Sequence, residues 1–160
     1  WRGIGIPEST ISFLWAFGAA SEIFVFWKGA FLLKRFGPVL LIFSGAVAAI
    51  LRWYLTGIST DIAVLTAAQA LHAFTFGAAH LGGMTFISRI APQELQATAQ
   101  TLYSALAMGA AMALMTPVTG RLYATLGPEQ TFFAMMALAG ISAVLALVLQ
   151  WRWNGRQITI

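Results

Sequence analysis

Five long apolar runs, separated by short polar or Gly/Pro interruptions, organise the chain. The first runs from about Glu8 to Trp27 and opens on Pro7-Glu8-Ser9-Thr10, a helix-start cluster. A break from Lys28 to Pro38 follows, carrying Lys28, Lys34, Arg35 and the pair Gly37-Pro38, and reads as a turn. The second run extends from about Val39 to Gly57. The third goes from about Ile62 to Ile87, after the turn Ile58-Ser59-Thr60-Asp61. Ser88 to Glu94 interrupts again, and the fourth run spans about Leu95 to Val118, with helix continuing toward Tyr123. Gly127-Pro128-Glu129 is a stop, and the fifth run covers about Gln130 to Trp151. Each run is roughly 19–26 residues long, and about 20 helical residues cross a hydrocarbon core of about 30 Å. Short alternating segments of the kind that build a barrel are absent from the sequence, so helices must satisfy the backbone. The expected fold is all-α: a polytopic transmembrane helical bundle of five spans.

Composition sharpens this expectation. Of 160 residues, 59% are hydrophobic and 9% are charged, against roughly 25% charged in a soluble domain. Too few charges exist to coat five amphipathic helices. The net charge is +4, but the basic residues sit scattered at segment ends, which gives no nucleic-acid footprint. Lys28, Lys34, Arg35, Arg89, Arg152 and Arg156 fall on one set of loops and ends. Arg2 and Arg121 fall on the other with Glu8, Asp61 and Glu129. The positive-inside rule puts the first set in the cytoplasm, so the amino end faces out and the carboxyl end faces in. Trp1, Trp27, Trp53, Trp151 and Trp153 are expected in interfacial belts; Trp15 falls outside them. The first residue is not Met, which marks the chain as a piece of a longer protein or a trimmed domain.

The polar residues inside the runs carry the chemistry. Glu22, Arg52, Gln69 and His72 lie within spans, and His80 lies toward the inner end of one. An ionisable group at bilayer depth costs about 2.5–3.5 kcal/mol on insertion scales and faces a cavity or a partner. His72 is expected near the midplane, Glu22 somewhat inward, and Arg52 near the outer end. Arg52 therefore has an alternative reading as a side chain snorkelling outward. A loose cluster is expected, bridged by water or substrate, rather than one tight salt bridge. A carboxyl that alternates between a buried setting and a nearby cation can load and release a proton. Glu22 could otherwise be a protonated packing residue. Gln69 and His72 share a helix face, and Phe76 continues the stripe. Together they suit a small polar or aromatic anion, while interhelical hydrogen bonding is the plainer alternative. His80 should be rotated by about 80° from His72, with gating or structure as its role. No HExxH, no GxSxG elbow and no carboxylate at helical spacing from the histidines is present, so neither an enzyme nor a metal site is expected. Ala105, Gly109 and Ala113 place small residues one turn apart for close helix approach, and Pro117 is expected to kink the fourth span.

The stretches "ASEIFVF" with Glu22, "LRWYLTG" with Arg52, "AQALHAFTFGAAHLGGMTFI" with Gln69, His72 and His80, and "QTLYSALAMGAAMALMTPVTGRLY" carry a resemblance. They resemble the carboxyl-terminal part of a major facilitator superfamily transporter. The likeness is strongest to the bacterial 3-phenylpropionic acid transporter group, akin to proton-symporting lactose permease. The resemblance implies the last five of twelve helices, with the amino-terminal half elsewhere. It also implies that Glu22, Arg52 and His72 fall on the three helices that handle the proton. One departure is "AFLLKRFGPV", which puts Lys34 where such loops carry an acid and Pro38-Val39 where they carry arginines. The expected function is proton-coupled uptake of a small organic anion by alternating access in a bacterial inner membrane. Glu22, Arg52 and His72 would couple the proton, and Gln69, His72, Phe76 and Arg52 would contact substrate. Beyond the proton no cofactor is expected; the partners are a small-molecule substrate, the bilayer and the other half of the transporter. Two alternatives stand beside it: a sugar or nucleoside symporter, and a non-transporting structural or assembly membrane protein.

Overall fold

A computed structural model of the chain describes residues 1–153 and consists of helices joined by short turns. Arg156, counted above on the basic side, lies outside the described residues. Five helices are long and apolar enough to cross a membrane: α1 (Glu8–Trp27), α3 (Pro38–Ile58), α4 (Ile62–Ile90), α5 (Gln93–Leu126) and α6 (Pro128–Arg152). The chain is thus an all-α, multi-pass bundle.

The connection between the first two spans is not the turn expected from its charges. Gly29–Phe36 forms a short helix, α2, with Lys34 and Arg35 in its last turn. Apolar residues interleaved with those charges explain it: Leu32 packs against a small core of Val25, Ala73 and Ala78, holding α2 on the bundle. Gly37, at φ 77°, then reverses the chain, and Pro38 opens α3 at a position where its missing N–H costs nothing. Asp61 starts α4 in the usual way: its Oδ1 accepts from the backbone N–H groups of Ala63 and Val64 at 2.8 and 3.2 Å.

Two of the spans are not uniform α-helix. Ala73–Ala78 in α4 and Ala105–Ala110 in α5 are wound as π-helix. Such stretches are rare and frequent at functional sites. Nothing in the apolar periodicity signals them. Pro117 sits inside α5 without ending it.

α3 lies centrally, packed along α6 on one side and α4 on the other. Small residues allow the α3–α4 crossing. A side chain at Gly45 would meet the Phe74 carbonyl oxygen at 2.8 Å, and one at Gly82 would meet the Pro38 carbonyl oxygen at 2.6 Å. The two backbones are in contact, as small-residue interfaces in lipid require. α5 is held loosely by comparison. Gln96 and Gln100 donate to the Ser88 carbonyl and hydroxyl at 2.9 and 2.6 Å, and none of its residues is buried. The stripe Ala105, Gly109, Ala113 therefore does not mediate a helix contact among the described residues; nothing lies within 4 Å of a Gly109 side-chain position.

Candidate functional site

Glu22 reaches inward from α1, Arg52 from α3, and Gln69 and His72 from α4. Arg52 lies six residues from the end of α3 and His72 ten from the start of α4, a four-residue offset of about 6 Å along the bundle. The extended Arg52 side chain spans that offset instead of snorkelling outward. Its Nη1 lies 2.9 Å from His72 Nδ1 and its Nη2 donates to Gln69 Oε1 at 3.2 Å. On its other side, His72 Nε2 lies 3.0 Å from Glu22 Oε1. The expected loose, water-bridged cluster is instead a continuous chain of direct contacts, Glu22–His72–Arg52–Gln69. The reach of the arginine closes the gap that residue counting left open.

The order of donors in that chain is fixed by elementary chemistry. A guanidinium can only donate, so His72 Nδ1 must accept, and the ring proton sits on Nε2, which donates to the Glu22 carboxylate. The imidazole therefore separates a cation from an anion with every polar atom facing a partner. Glu22 is 16% exposed and His72 29%, which is enough burial for these bonds to act with little competition from bulk water. Thr75, which the sequence reading missed, completes the Arg52 shell: Nη1 donates to its Oγ1 at 3.3 Å. Its position three residues after His72 was the available signal.

The aromatic residues arrange themselves around this chain. Phe76 stacks on His72 with ring centroids 5.8 Å apart, and His80 stacks on Phe76 at 5.5 Å with planes 4° apart. His80 is thus in line with His72, not turned away by 80° as a uniform α-helix would place it. The intervening π segment takes more residues per turn, so residues four apart no longer overshoot. Tyr103 from α5 comes within 6.5 Å of His80.

Arg52, Gln69 and His72 form the floor of a chamber of about 950 Å³, at the large end of small-molecule sites. It extends toward the end of the bundle that carries Ser59, Thr60 and Glu129. Trp1, Trp15, Trp53, Tyr123 and Phe132 supply its walls. Trp53 stacks on Phe132 at 6.0 Å and lies 5.0 Å beneath the Arg52 guanidinium. Trp1 and Trp53, expected in an interfacial belt, line this chamber; Trp15, which fitted no belt, does so too. Trp153 packs edge-on against Phe86 at the opposite end.

Comparison with known proteins points the same way. The chain is 32% identical to the probable 3-phenylpropionic acid transporter of Escherichia coli strain K12, over 90% of this chain and 37% of that protein. It is 28% identical to the maltose permease of Geobacillus stearothermophilus, over 97% of this chain and 38% of that protein. The chain thus spans little more than a third of the length of these curated relatives. No solved structure matches. The model of the MFS_1 like family matches residues 2–134, most of the chain, and the chain belongs to that family.

Proposed function

We propose that the chain forms the proton- and substrate-handling part of a secondary transporter that takes up a small organic anion together with a proton. The observation that carries this reading is the Glu22–His72–Arg52 chain, whose Arg52 and His72 form the floor of an aromatic-walled chamber while Glu22 lies behind His72. A substrate carboxylate entering the chamber competes for the Arg52 guanidinium, whose planar fork pairs well with carboxylates. Drawing Arg52 toward substrate leaves the Nδ1 lone pair of His72 without its donor. A proton can then be held on the His72–Glu22 pair, which the guanidinium had disfavoured. Substrate and proton thus enter as a neutral set, and alternating access of one helix bundle against another delivers both to the other side. Trp15, Trp53 and Phe132 offer flat apolar faces to an aromatic substrate. The name of the E. coli relative, a probable 3-phenylpropionic acid transporter, agrees with such a cargo.

The test is Glu22→Gln in the full-length protein. It should abolish uphill accumulation while leaving exchange of bound substrate intact; uphill uptake at the parent level refutes the reading. A sugar is the second reading, favoured by the maltose permease likeness and by aromatic faces that stack on sugar rings as readily. Uptake of 3-phenylpropionate, maltose and nucleosides, measured side by side, separates the cargoes. A non-transporting role predicts that Glu22, Arg52 and His72 tolerate joint replacement by apolar residues of similar size.

A further inference from the structure

His80 takes no part in the Arg52 chain, yet its placement relative to Glu22 is specific. Gly77 lets the α1 backbone come close: Glu22 Cα lies 3.8 Å from where a Gly77 side chain would begin. Gly77 is five residues from His72 and three from His80 along α4. The Glu22 backbone therefore sits nearer the level of His80, while its carboxyl extends back to His72. Among the described residues His80 Nδ1 has no hydrogen-bond partner, and it is shut off from solvent; a buried polar atom left so calls for an explanation. The titratable groups around it are Glu22 from α1, Tyr103 from α5 and, behind the Phe76 ring, His72. Phe76 fills the space between the two imidazoles, so no proton passes directly from one to the other.

We propose that His80 is the second partner of Glu22, taking the proton that Glu22 carries away from His72. The carboxyl swings about its own side-chain bonds from one imidazole to the other. Its O–H bond breaks, an N–H bond forms at the His80 ring nitrogen that holds the lone pair, and Glu22 is left as carboxylate. The imidazolium then gives one proton to water at the bundle end carrying Lys34 and Arg89, and Glu22 returns to His72. Two proton sites separated by an aromatic ring, with one mobile carboxyl between them, prevent a continuous leak. This assignment rests on the reading of Glu22 as the coupled carboxyl.

The experiment uses the full-length protein in proteoliposomes, with 3-phenylpropionate as probe and maltose in parallel. His80→Phe keeps a flat ring in the column and removes the proton site; His80→Gln keeps polarity without basicity. Both should retain exchange at constant pH and lose accumulation driven by a pH gradient by at least about a hundredfold, the lower end of what a positioned acid–base group contributes. Gradient-driven accumulation at the parent level in either variant overturns the proposal. Loss of exchange in both variants also overturns it, because His80 is then a packing residue. Glu22→Gln, run alongside, separates the two ideas. If it accumulates normally, the coupling role of Glu22 falls; if it fails while His80→Phe succeeds, only the His80 assignment falls.

Discussion

Arg52 donates to His72 Nδ1 across 2.9 Å, so the position of a guanidinium decides which nitrogen of an intramembrane histidine can hold a proton. That contact turns two residues twenty apart in the chain into one unit. It also makes the charge state of His72 depend on whatever competes for Arg52.

Replacing Arg52 by lysine keeps the charge and loses the fork. An ammonium cannot hold His72 Nδ1, Gln69 Oε1 and a substrate carboxylate at once in the planar geometry found here. A lost charge-assisted hydrogen bond is worth about 1.5–3 kcal/mol, so apparent affinity for an anionic substrate should fall by roughly ten- to a hundredfold. Initial-rate uptake kinetics would show this as a higher KM in Arg52→Lys.

Gln69→Leu removes the acceptor for Arg52 Nη2 and leaves the histidine contact in place. The bond is donated by a guanidinium, so its loss costs about 1.5–3 kcal/mol, a roughly ten- to hundredfold loss of substrate affinity with coupling preserved. Equal loss of coupling and affinity would mean that Gln69 also holds His72 in register.

Trp15 is 70% exposed and lines the chamber, so Trp15→Ala should leave folding intact and broaden the size of accepted substrates. Competition of phenyl- and naphthyl-substituted acids against uptake reads this directly. An unchanged rank order would place Trp15 outside the substrate path.

Gly82→Val puts a branched side chain against the Pro38 carbonyl oxygen, where even a first carbon would sit at 2.6 Å. Backbone cannot yield as a flexible side chain can, so the α3–α4 crossing should open and the detergent-solubilised protein should melt well below the parent. Overpacking of this kind costs about 1–3 kcal/mol or more. A thermal melt followed by size-exclusion chromatography would register it.

The five spans were legible in the sequence because lipid imposes a length and forbids charge, and both leave a mark in every residue of a run. Glu22, Arg52, Gln69 and His72 were legible for the same reason turned round: each is an exception to a strong rule. Their mutual contacts were not. Counting residues from span ends ignores helix tilt and side-chain reach, which is why Arg52 looked too shallow to meet His72. The winding of Ala73–Ala78 left no trace in hydropathy, so the alignment of His72, Phe76 and His80 had to be seen. Thr75 and Phe132 were missed, and Trp53 was assigned to an interfacial belt, because threonine and aromatic residues are ordinary in a membrane span; only tertiary packing brings Thr75 to Arg52 and turns Trp53 and Phe132 toward the chamber. The charges of Lys34 and Arg35 hid α2, whose apolar side seats Leu32 on the core.

The widened turn at Ala73–Ala78 makes α4 a swivel as well as a strut. Rewound as uniform α-helix, the same residues would carry His80 round by about 80° relative to His72 and break the ring column in the middle. Any movement that tightens this turn therefore breaks the ring column and turns the Ala79–Ile90 half of α4 against α3.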